Sequence, residues 1–323
     1  MTAQTSSAPG MSLVSQDLIQ VLYRLVGALL ICIALTFLSD AFLSYSNVVN
    51  VFRQASLVFL MSCGLTLVIL TGGLDLSIGA NVGLSACVAG TVMKATGSPA
   101  LGVLAGVGVG SFVGLINGVL VAKLLIPSFI ATYGMLWVIH GVTYWYMGGM
   151  TIHGFPPGFR WIGSGFAFGI PIPIYIMVLF LLAGTFFTKR TTWGQEIYAI
   201  GANPVAARLS GLPVSRRLLL VYTLSGAMGG LASLVFLARV NSAEADIGEA
   251  LTLPAIAAVL IGGASLFGGV GTIFGTLIGA LILTLIINGM NLLSIAASWQ
   301  PFVTGVIVIL AVWIDLASRR NAQ

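Results

Sequence analysis

Side chains that could carry out chemistry are sparse in this 323-residue sequence. It contains no G-x-x-x-x-G-K-[ST] phosphate loop, no H-E-x-x-H zinc motif, no G-x-S-x-G nucleophile motif and no pair of aspartates within one apolar segment. The two histidines, His140 and His153, have no partner at metal-ligand spacing. Gly269-Val270-Gly271 is not followed by the acidic residue that a dinucleotide site requires. We therefore predict a chain that is not an enzyme and that holds no metal or cofactor.

One carboxylate, Asp75, stands in an otherwise apolar stretch. Gly72 and Gly73 precede it and can break a helix, and Ser77 can cap the next helix. Asp75 is therefore predicted to accept hydrogen bonds from the free backbone N–H groups where that helix starts. The alternative is a proton-coupling carboxylate. His140 has a similar pair of interpretations, a proton relay or a hydrogen bond between helices.

The longest polar segment, Thr192 to Arg217, has the pattern of a short helix in its middle. Asn203 is a favoured N-cap residue, and Pro204 suits the first helical position because no N–H is needed there. Val205 to Ser210 then fits about two turns, which Gly211 is expected to end with a positive φ angle.

A second short helix could span Trp193 to Ile200. The two helices would be accompanied by Arg208, Arg216 and Arg217. Two interpretations stay open at this point. The segment could dock on another polypeptide, or it could lie on anionic lipid, to which each basic residue contributes about 1 kcal/mol.

The elements that position these segments follow from composition. Hydrophobic residues make up 58% of the chain and charged residues only 7%, whereas a soluble domain carries about 25% charged residues. Lipid must therefore cover most of the surface, which allows only helices or a closed barrel. The apolar segments, about 17–20 residues long, lack the alternation of barrel strands. We predict an all-α integral membrane protein with about ten transmembrane helices.

Ten apolar segments have about the length that crosses a 30 Å hydrocarbon layer. They are 18–38, 48–71, 77–94, 99–121, 126–146, 171–188, 217–238, 251–266, 271–289 and 300–316. We expect a single transmembrane domain at 18–316, with a cytoplasmic coupling segment at 189–217 and tails at 1–17 and 317–323.

Orientation follows from the basic residues. With the N-terminus inside, nine fall on the cytoplasmic side: Arg24, Lys123, Lys189, Arg190, Arg208, Arg216, Arg217, Arg319 and Arg320. Four fall outside: Arg53, Lys94, Arg160 and Arg239. This distribution follows the positive-inside rule. Both termini are predicted to be cytoplasmic, and the long connection from Met147 to Ile170 is predicted to be external.

The first apolar segment, Leu18 to Leu38, is predicted to be an uncleaved anchor. A signal peptide would need a shorter apolar core and a small-residue cleavage site, for which Phe37-Leu38-Ser39-Asp40 is poor. Leu30-Ile31-Cys32 is also a weak lipoprotein processing site. All three cysteines lie in predicted spans and indicate neither a disulfide nor a metal cluster.

Many of the 41 glycines recur at intervals of four residues within spans. The series are Gly106, Gly110, Gly114 and Gly118; Gly271, Gly275 and Gly279; and Gly79 and Gly83. Small residues at this spacing let helix backbones approach closely in lipid, so we interpret the series as packing surfaces.

The two halves of the chain resemble each other loosely. Leu70 to Leu76 resembles Leu260 to Leu266, and the Asn117-Gly118 pair resembles Asn288-Gly289. The spacing between the matches drifts, so we predict two loosely repeated halves. Internal repeats are common in transporters, which favours a transport function.

Three blocks carry a resemblance to a known family. Gly201-Ala202-Asn203-Pro204-Val205-Ala206-Ala207-Arg208-Leu209-Ser210-Gly211 looks like the cytoplasmic coupling segment of the ribose/xylose/arabinose family of bacterial ABC-importer permeases. Thr71-Gly72-Gly73-Leu74-Asp75-Leu76-Ser77-Ile78-Gly79 resembles the most recognisable signature of that family. Ala255 to Gly271 matches a third block, which Gly275 to Asn291 continues. The similarity runs in order from about residue 45 to Asp315.

The resemblance implies a type II-like importer in the bacterial inner membrane. Such an importer has two permease subunits, identical or different, two cytoplasmic ATPase subunits that bind the ATP, and an external sugar-binding protein. It implies that the coupling residues are Gly201, Asn203, Pro204, Ala206, Ala207, Arg208, Ser210 and Gly211. The helix-junction signature comprises Gly72, Gly73, Asp75, Ser77 and Gly79.

Polar groups within spans are the candidates for the substrate path, namely Asn81, Asn117, Thr132 and Asn288. The alternative for each is a hydrogen bond between helices. Outside, Glu244, Asp246, Glu249 and Arg239 could meet the binding protein or form an ordinary hydrated loop. The chain departs from the family at Thr252 and Pro254, where relatives are often acidic, and at His140, where many have Arg or another polar residue. Because of these departures, the resemblance does not indicate which sugar is transported.

The leading hypothesis is therefore the membrane-spanning permease subunit of an importer for a small sugar of the pentose or hexose class. An ion-coupled secondary transporter of a small polar solute is the alternative. An intramembrane enzyme would need a reactive cluster, which the sequence lacks.

Overall fold

The computed structural model describes the backbone of residues 13–320 and the side chains of residues 22–316. Nearly all of this part of the chain is helical. In chain order the elements are α1 (Leu13–Leu38), α2 (Tyr45–Leu70), α3 (Ile78–Thr96), α4 (Pro99–Ala122), α5 (Ser128–Met147), β1 (Ile152–His153), α6 (Pro157–Ser164), β2 (Phe166–Ala167), β3 (Ile170–Pro171), α7 (Ile172–Arg190), α8 (Thr192–Ala202), α9 (Pro204–Leu209), α10 (Val214–Val240), β4 (Ser242–Ala243), α11 (Glu249–Ile261), α12 (Ile273–Leu292) and α13 (Trp299–Arg320).

Each of the ten predicted spans coincides with a helix, and the all-α membrane class is confirmed. Seven helices of the described chain are long and apolar enough to cross a membrane, namely α2, α3, α4, α7, α10, α12 and α13. The described apolar part of α1, 22–38, is shorter. Helix α5 has 20 residues, but its Tyr, Trp and His residues leave it less apolar than the seven. The total of about ten spans stays a prediction.

The predicted span at 251–266 is too long, because α11 ends at Ile261. Its 13 residues rise about 20 Å, less than the hydrocarbon layer of about 30 Å. Gly262 and Gly263 end the helix, and Gly263 has a φ angle of +81° that favours glycine. The chain up to Thr272 then forms a loop.

The predicted tails differ at both ends of the described chain. Helix α1 begins at Leu13, within the predicted tail 1–17, and residues 1–12 lie outside the described part. Helix α13 continues to Arg320, within the predicted tail 317–323, and residues 321–323 lie outside.

Helix α2 forms the centre of the bundle. Its side chains Phe59, Leu60, Met61 and Leu65 are completely buried, and the helix contacts α7, α10, α11 and α12. The remaining helices surround it, so that their outer faces are left for lipid or for another subunit.

The connections gather at two opposite ends of the bundle. At one end β1 pairs with β4, and the guanidinium of Arg53 donates to the carbonyl of Ser164 (2.8 Å). At the other end the hydroxyl of Ser215 donates to the carbonyl of Ala122 (3.0 Å). This separation agrees with the alternating path that the spans predict.

The glycine series pack helices closely, as predicted, except that Gly271 lies in the loop before α12 rather than in a span. A Cβ atom added to Gly226 in α10 would lie 2.7 Å from Cα of Gly114 in α4 and would also meet the carbonyl oxygen of Gly110. Gly79 and Gly83 contact the segment before α11 in the same way. Close backbone approach thus replaces the hydrophobic drive that is missing between helices in lipid.

Replacing Gly226 by Val is expected to force α4 and α10 apart. Overpacking of this kind costs about 1–3 kcal/mol, and here backbone atoms cannot move aside as a flexible side chain would. We expect a lower melting temperature and less monodisperse protein in detergent, measured by thermal unfolding and size-exclusion chromatography. Gly108→Val is the matched control, because a Cβ atom at Gly108 meets nothing within 4 Å. Equal behaviour of the two variants would contradict the packing role.

Candidate functional site

The segment between α7 and α10 folds as its sequence predicts. Asn203 is the N-cap residue of α9, and its side-chain oxygen accepts hydrogen bonds from the N–H groups of Val205 (3.0 Å) and Ala206 (2.9 Å). Pro204 occupies the first position of α9. Gly211 follows the end of the helix with a φ angle of +83°. Two short helices, α8 and α9, thus form a defined unit at one end of the bundle.

Charged and apolar contacts fix this unit to α10. Arg217 pairs with Glu196 of α8, and its guanidinium lies 4.9 Å from the ring centre of Trp193. Ile200 and Ala207 are buried together with Val214 at the start of α10. These contacts make α8, α9 and the first turns of α10 a single structural block.

The same block touches the end of the central helix α2. Gly201 packs so closely against the carbonyl of Leu70 and the backbone of Gly269 that a Cβ atom would not fit. The N–H of Gly269 donates to the carbonyl of Leu70 (2.9 Å), and the hydroxyl of Tyr198 donates to the carbonyl of Gly271 (2.7 Å). A displacement of α8 therefore bears directly on α2 and on the loop between α11 and α12.

The outward face of α9 carries two apolar side chains that the sequence analysis did not single out. Val205 and Leu209, one helical turn apart, are 67% and 83% exposed. Together with Pro204 and Arg208 they border a shallow depression. Exposed apolar side chains on a short helix within a polar segment indicate a surface that another protein covers. The signal that could have identified them is their i, i+4 spacing next to the basic residue.

The predicted coupling residues divide into two groups. Asn203, Pro204, Ala206, Arg208, Ser210 and Gly211 are exposed, whereas Gly201 and Ala207 are buried. The buried pair can influence a docked partner only by holding α8 and α9 in place.

The helix junction forms where the signature predicts it. Helix α2 ends at Leu70, and Gly72 has a φ angle of +77° that favours glycine. Asp75 is buried, and its Oδ1 accepts hydrogen bonds from the N–H (3.0 Å) and the hydroxyl (2.7 Å) of Ser77. The predicted role of Asp75 as an acceptor for backbone N–H groups is thus confirmed at Ser77.

The predicted capping role of Ser77 is wrong. Ser77 occupies the N-cap position of α3, but its side chain makes no capping hydrogen bond. Its hydroxyl instead donates to Asp75 and accepts from the side-chain amide of Asn117 in α4 (2.7 Å). A capping oxygen would accept a hydrogen bond from an N–H in the first turn of α3, but the Ser77 oxygen accepts from Asn117 instead, while its proton is held by the carboxylate of Asp75.

Asp75 lies between the two spans rather than inside either of them. Burial raises the pKa of its carboxyl, while the hydrogen bonds from Ser77 and from Ser225 act in the opposite direction.

Asp75→Asn distinguishes the two roles. An Asn side chain keeps an oxygen for the N–H of Ser77, so the structural role predicts transport within about threefold of the wild type. Asp75→Ala leaves that N–H and the hydroxyl without their acceptor, which costs about 1–3 kcal/mol of stability. Transport assays and thermal unfolding measure both effects. Loss of transport in Asp75→Asn with unchanged stability would instead favour proton coupling.

The four predicted path residues all make hydrogen bonds to other segments of the bundle. Asn81 donates to the carbonyls of Gly110 (3.3 Å) and Gly226 (3.2 Å). The hydroxyl of Thr132 accepts from the N–H of Leu76 (3.1 Å). Each of these side chains, with Asn117 and Asn288, is at most 3% exposed.

Asn288 of α12 pairs with Asn47 of α2. Each side-chain amide donates to the oxygen of the other, over 3.1 Å and 2.7 Å. The pair satisfies four polar groups inside the bundle, which is the arrangement a buried amide needs. Asn117 differs, because its Oδ1 has no hydrogen-bond partner among the described residues.

A cavity with a volume of about 670 Å³ lies between α2, α10, α11, α12 and α13. Most of its walls are aliphatic. Gln54, Arg239, Glu249, Asn291, Gln300 and Thr304 supply polar or charged groups, and the Thr284 hydroxyl is buried there without a hydrogen-bond partner among the described residues. None of the four predicted path residues lines this cavity.

A polar cluster at the end of the bundle that carries β1 and β4 joins α5 to the start of α11. His140 pairs with Glu249 and lies 3.8 Å from Asp246, and the hydroxyl of Tyr144 donates to Asp246. The sequence analysis found no partner for His140, because the partners lie about a hundred residues away along the chain. One ring nitrogen of His140 and one carboxylate oxygen each of Asp246 and Glu249 lie within 4.8 Å of one another, a grouping that could hold a metal ion.

Comparison with known proteins gives a consistent result. The sequence profile of the family described as "Branched-chain amino acid transport system / permease component" matches residues 47–312. The ribose import permease protein RbsC of Escherichia coli K12 is 41% identical over 293 residues, covering 89% of this chain and 91% of that protein.

Two further relatives are named for other sugars. The fructose import permease protein FrcC of Rhizobium meliloti is 36% identical over 298 residues, covering 88% of this chain and 82% of that protein. The galactose/methyl galactoside import permease protein MglC of Salmonella typhimurium is 36% identical over 307 residues, covering 89% of this chain and 91% of that protein. No solved structure matches this chain.

Proposed function

This chain belongs to the branched-chain amino acid transport system / permease component family, and from that premise we propose that it is the permease subunit of an ATP-driven importer for a small sugar. It is a multi-pass membrane protein and a transport subunit rather than an enzyme, as relatives over most of its length are permease components. The relatives named for ribose, fructose and galactose import favour a pentose or hexose over an amino acid. They do not favour an ion-coupled transporter.

The observation that carries the proposal is the braced unit of α8 and α9. Its outer face exposes Val205 and Leu209, and its inner face packs on Leu70 at the end of the central helix. A partner that grips the outer face could therefore move the bundle. An amphipathic linker resting on lipid would not need the close backbone contact at Gly201.

We assign the partner at this face to a cytoplasmic ATPase subunit that binds the ATP, so that this chain itself carries no cofactor. An external binding protein would deliver the sugar, and a second permease subunit, identical or different, would complete the path. The end that carries α8 and α9 then faces the cytoplasm, in agreement with the basic residues, and both chain termini lie on that side.

The residues proposed for coupling are Gly201, Asn203, Pro204, Ala206, Ala207, Arg208, Ser210 and Gly211, now with Val205 and Leu209. Asn81, Asn117, Thr132 and Asn288 remain predictions for the substrate path. In the present conformation they hold helices together, so they could reach substrate only after the helices move apart.

The test of the proposed substrate is uptake by the assembled importer. We would reconstitute the chain with its ATPase and binding protein, and measure uptake of labelled ribose, xylose, arabinose, fructose, galactose and leucine. The proposal predicts uptake of at least one sugar and none of leucine. Uptake of leucine alone would contradict it.

A further inference from the structure

Helix α5 carries a row of aromatic side chains along one face. Phe129 and Tyr133 stack with ring centres 6.0 Å apart and an interplanar angle of 3°. Trp137 lies 5.7 Å from the ring of His140, which in turn lies 4.7 Å from Tyr144. The five residues follow one another at helical spacings of three or four, and we refer to them as the α5 aromatic stripe.

The stripe is exposed over most of its length. Phe129, Tyr133, Trp137 and Tyr144 are 56%, 49%, 57% and 40% exposed. This exposure sets α5 apart from the central helix α2. The stripe therefore faces either lipid or a water-filled path. The chemistry of its side chains decides between the two.

Depth in the membrane argues against lipid. At 1.5 Å per residue, Tyr133 lies about 8 Å and Trp137 about 14 Å from the start of α5, so the indole is near the middle of this 20-residue helix and, if α5 crosses the membrane, far from both interfaces. Trp and Tyr are enriched at the membrane interfaces rather than at the centre. Among the described residues the Tyr133 hydroxyl and the Trp137 N–H make no hydrogen bond. An unpaired donor is costly in hydrocarbon but not in water.

Carboxylates stand at the external end of the stripe. Asp246 and Glu249, next to His140, have side chains that are 54% and 43% exposed. Carboxylate oxygens accept hydrogen bonds from hydroxyl groups, and aromatic rings offer an apolar surface beside them. A monosaccharide carries both kinds of surface, since its hydroxyls lie at the edge of the ring and its C–H groups lie on the faces.

We propose that the α5 aromatic stripe, with Asp246 and Glu249 at its external end, lines the path of the sugar opposite a second permease subunit. This proposal rests on the proposed function. At the entrance, Asp246 and Glu249 accept hydrogen bonds from the hydroxyl groups of the sugar. The rings of Trp137, Tyr133 and Phe129 then offer successive stacking surfaces. Each contact is weak, which suits a path that must release the sugar again.

The cavity beside α13 is the competing path. Its walls combine aliphatic side chains with amides, hydroxyls and the charged Arg239 and Glu249, so that Glu249 borders both candidate paths, and it reaches Leu253 and Pro301 on the outer surface between α11 and α13. Among the described residues that line it, Phe236 is the one aromatic side chain, so this cavity offers the C–H faces of a sugar little stacking surface. Gln300 is the polar side chain that best tests this alternative.

The first experiment measures sugar uptake by the reconstituted importer. Trp137→Ala is expected to lower the uptake rate at least tenfold, and Trp137→Phe to restore most of it, while ATP hydrolysis stimulated by the binding protein is retained. Trp313→Ala is the matched control, since Trp313 is 66% exposed on α13. Unchanged uptake in Trp137→Ala, or a larger loss in Gln300→Ala, would overturn the proposal.

The second experiment measures water access directly and does not depend on the sugar. In a chain whose three cysteines are replaced by Ala, we would introduce Trp137→Cys or Trp313→Cys and add a membrane-impermeant thiol reagent. The proposal predicts labelling at position 137 and none at 313. Equal labelling at the two positions, or none at 137, would overturn it.

The two experiments separate this proposal from the proposed function. If the wild-type importer takes up sugar with ATP while Trp137→Ala is normal and position 137 is not labelled, only the stripe assignment fails. If the wild-type chain shows no ATP-dependent uptake of any sugar, the proposed function fails, and the stripe loses its role as a sugar path with it.

Discussion

Leu209→Asp should separate the permease from its ATPase and reduce sugar uptake to background. Leu209 is 83% exposed on α9, and a side chain that is a hot spot at the centre of a protein interface contributes about 2 kcal/mol or more. A loss of about 2 kcal/mol weakens association about thirtyfold. We would measure the affinity of the ATPase for the permease in nanodiscs, together with uptake.

Two companion variants make the result specific. Leu209→Met keeps the apolar contact and should retain most of the affinity. Leu124→Asp introduces the same charge at a leucine that is 61% exposed in the loop after α4, so it controls for charge on that end of the bundle. Equal losses in Leu124→Asp and Leu209→Asp would contradict a docking surface centred on α9.

Gly201→Val should have an effect of similar size through a different step. A Cβ atom at Gly201 would collide with the backbone of Leu70 and Gly269, so α8 must shift away from the end of α2. The outer face of α9 is untouched, and we therefore expect binding of the ATPase within about threefold of the wild type. Uptake should fall at least tenfold, because movement of the ATPase no longer reaches the central helix.

The measurement for Gly201→Val compares ATPase binding with sugar uptake in the same preparation. Gly305→Val is the matched control, since a Cβ atom at Gly305 in α13 meets nothing within 4 Å, and it should leave both quantities unchanged. Normal uptake in Gly201→Val would show that force does not pass through this contact. Parallel loss of binding and uptake would show that Gly201 only maintains the fold of the segment.

Local rules account for the parts of the structure that the sequence predicted well. Asn203 and Pro204 determine the start of α9 through a cap and a fixed φ angle, and Gly211 determines its end. Each of these effects depends on neighbours within a few residues. The same holds for Gly72, whose positive φ angle turns the chain just after the end of α2.

Non-local contacts account for what the sequence did not reveal. Ser77 was expected to cap α3, but Asp75 and Asn117 compete for its hydroxyl. His140 meets Glu249 only because α5 and α11 come together at one end of the bundle. Periodicity cannot show which distant segment a side chain will reach.

Apolar length was misleading at α11 for a related reason. Residues 251–266 are apolar throughout, and hydropathy does not distinguish a helix from a buried loop. The positive φ angle of Gly263 and the hydrogen bond from Gly269 to Leu70 make the chain turn back instead of continuing across the membrane.

The central claim is that this chain is the gated path of an importer whose energy comes from ATP on another subunit. The most direct measurement is sugar uptake into proteoliposomes that contain the permease and its ATPase, with binding protein outside. We predict uptake when ATP is trapped inside, none when ADP replaces it, and no change when ion gradients are collapsed. Uptake that persists without ATP and stops when an ion gradient is collapsed would contradict the claim.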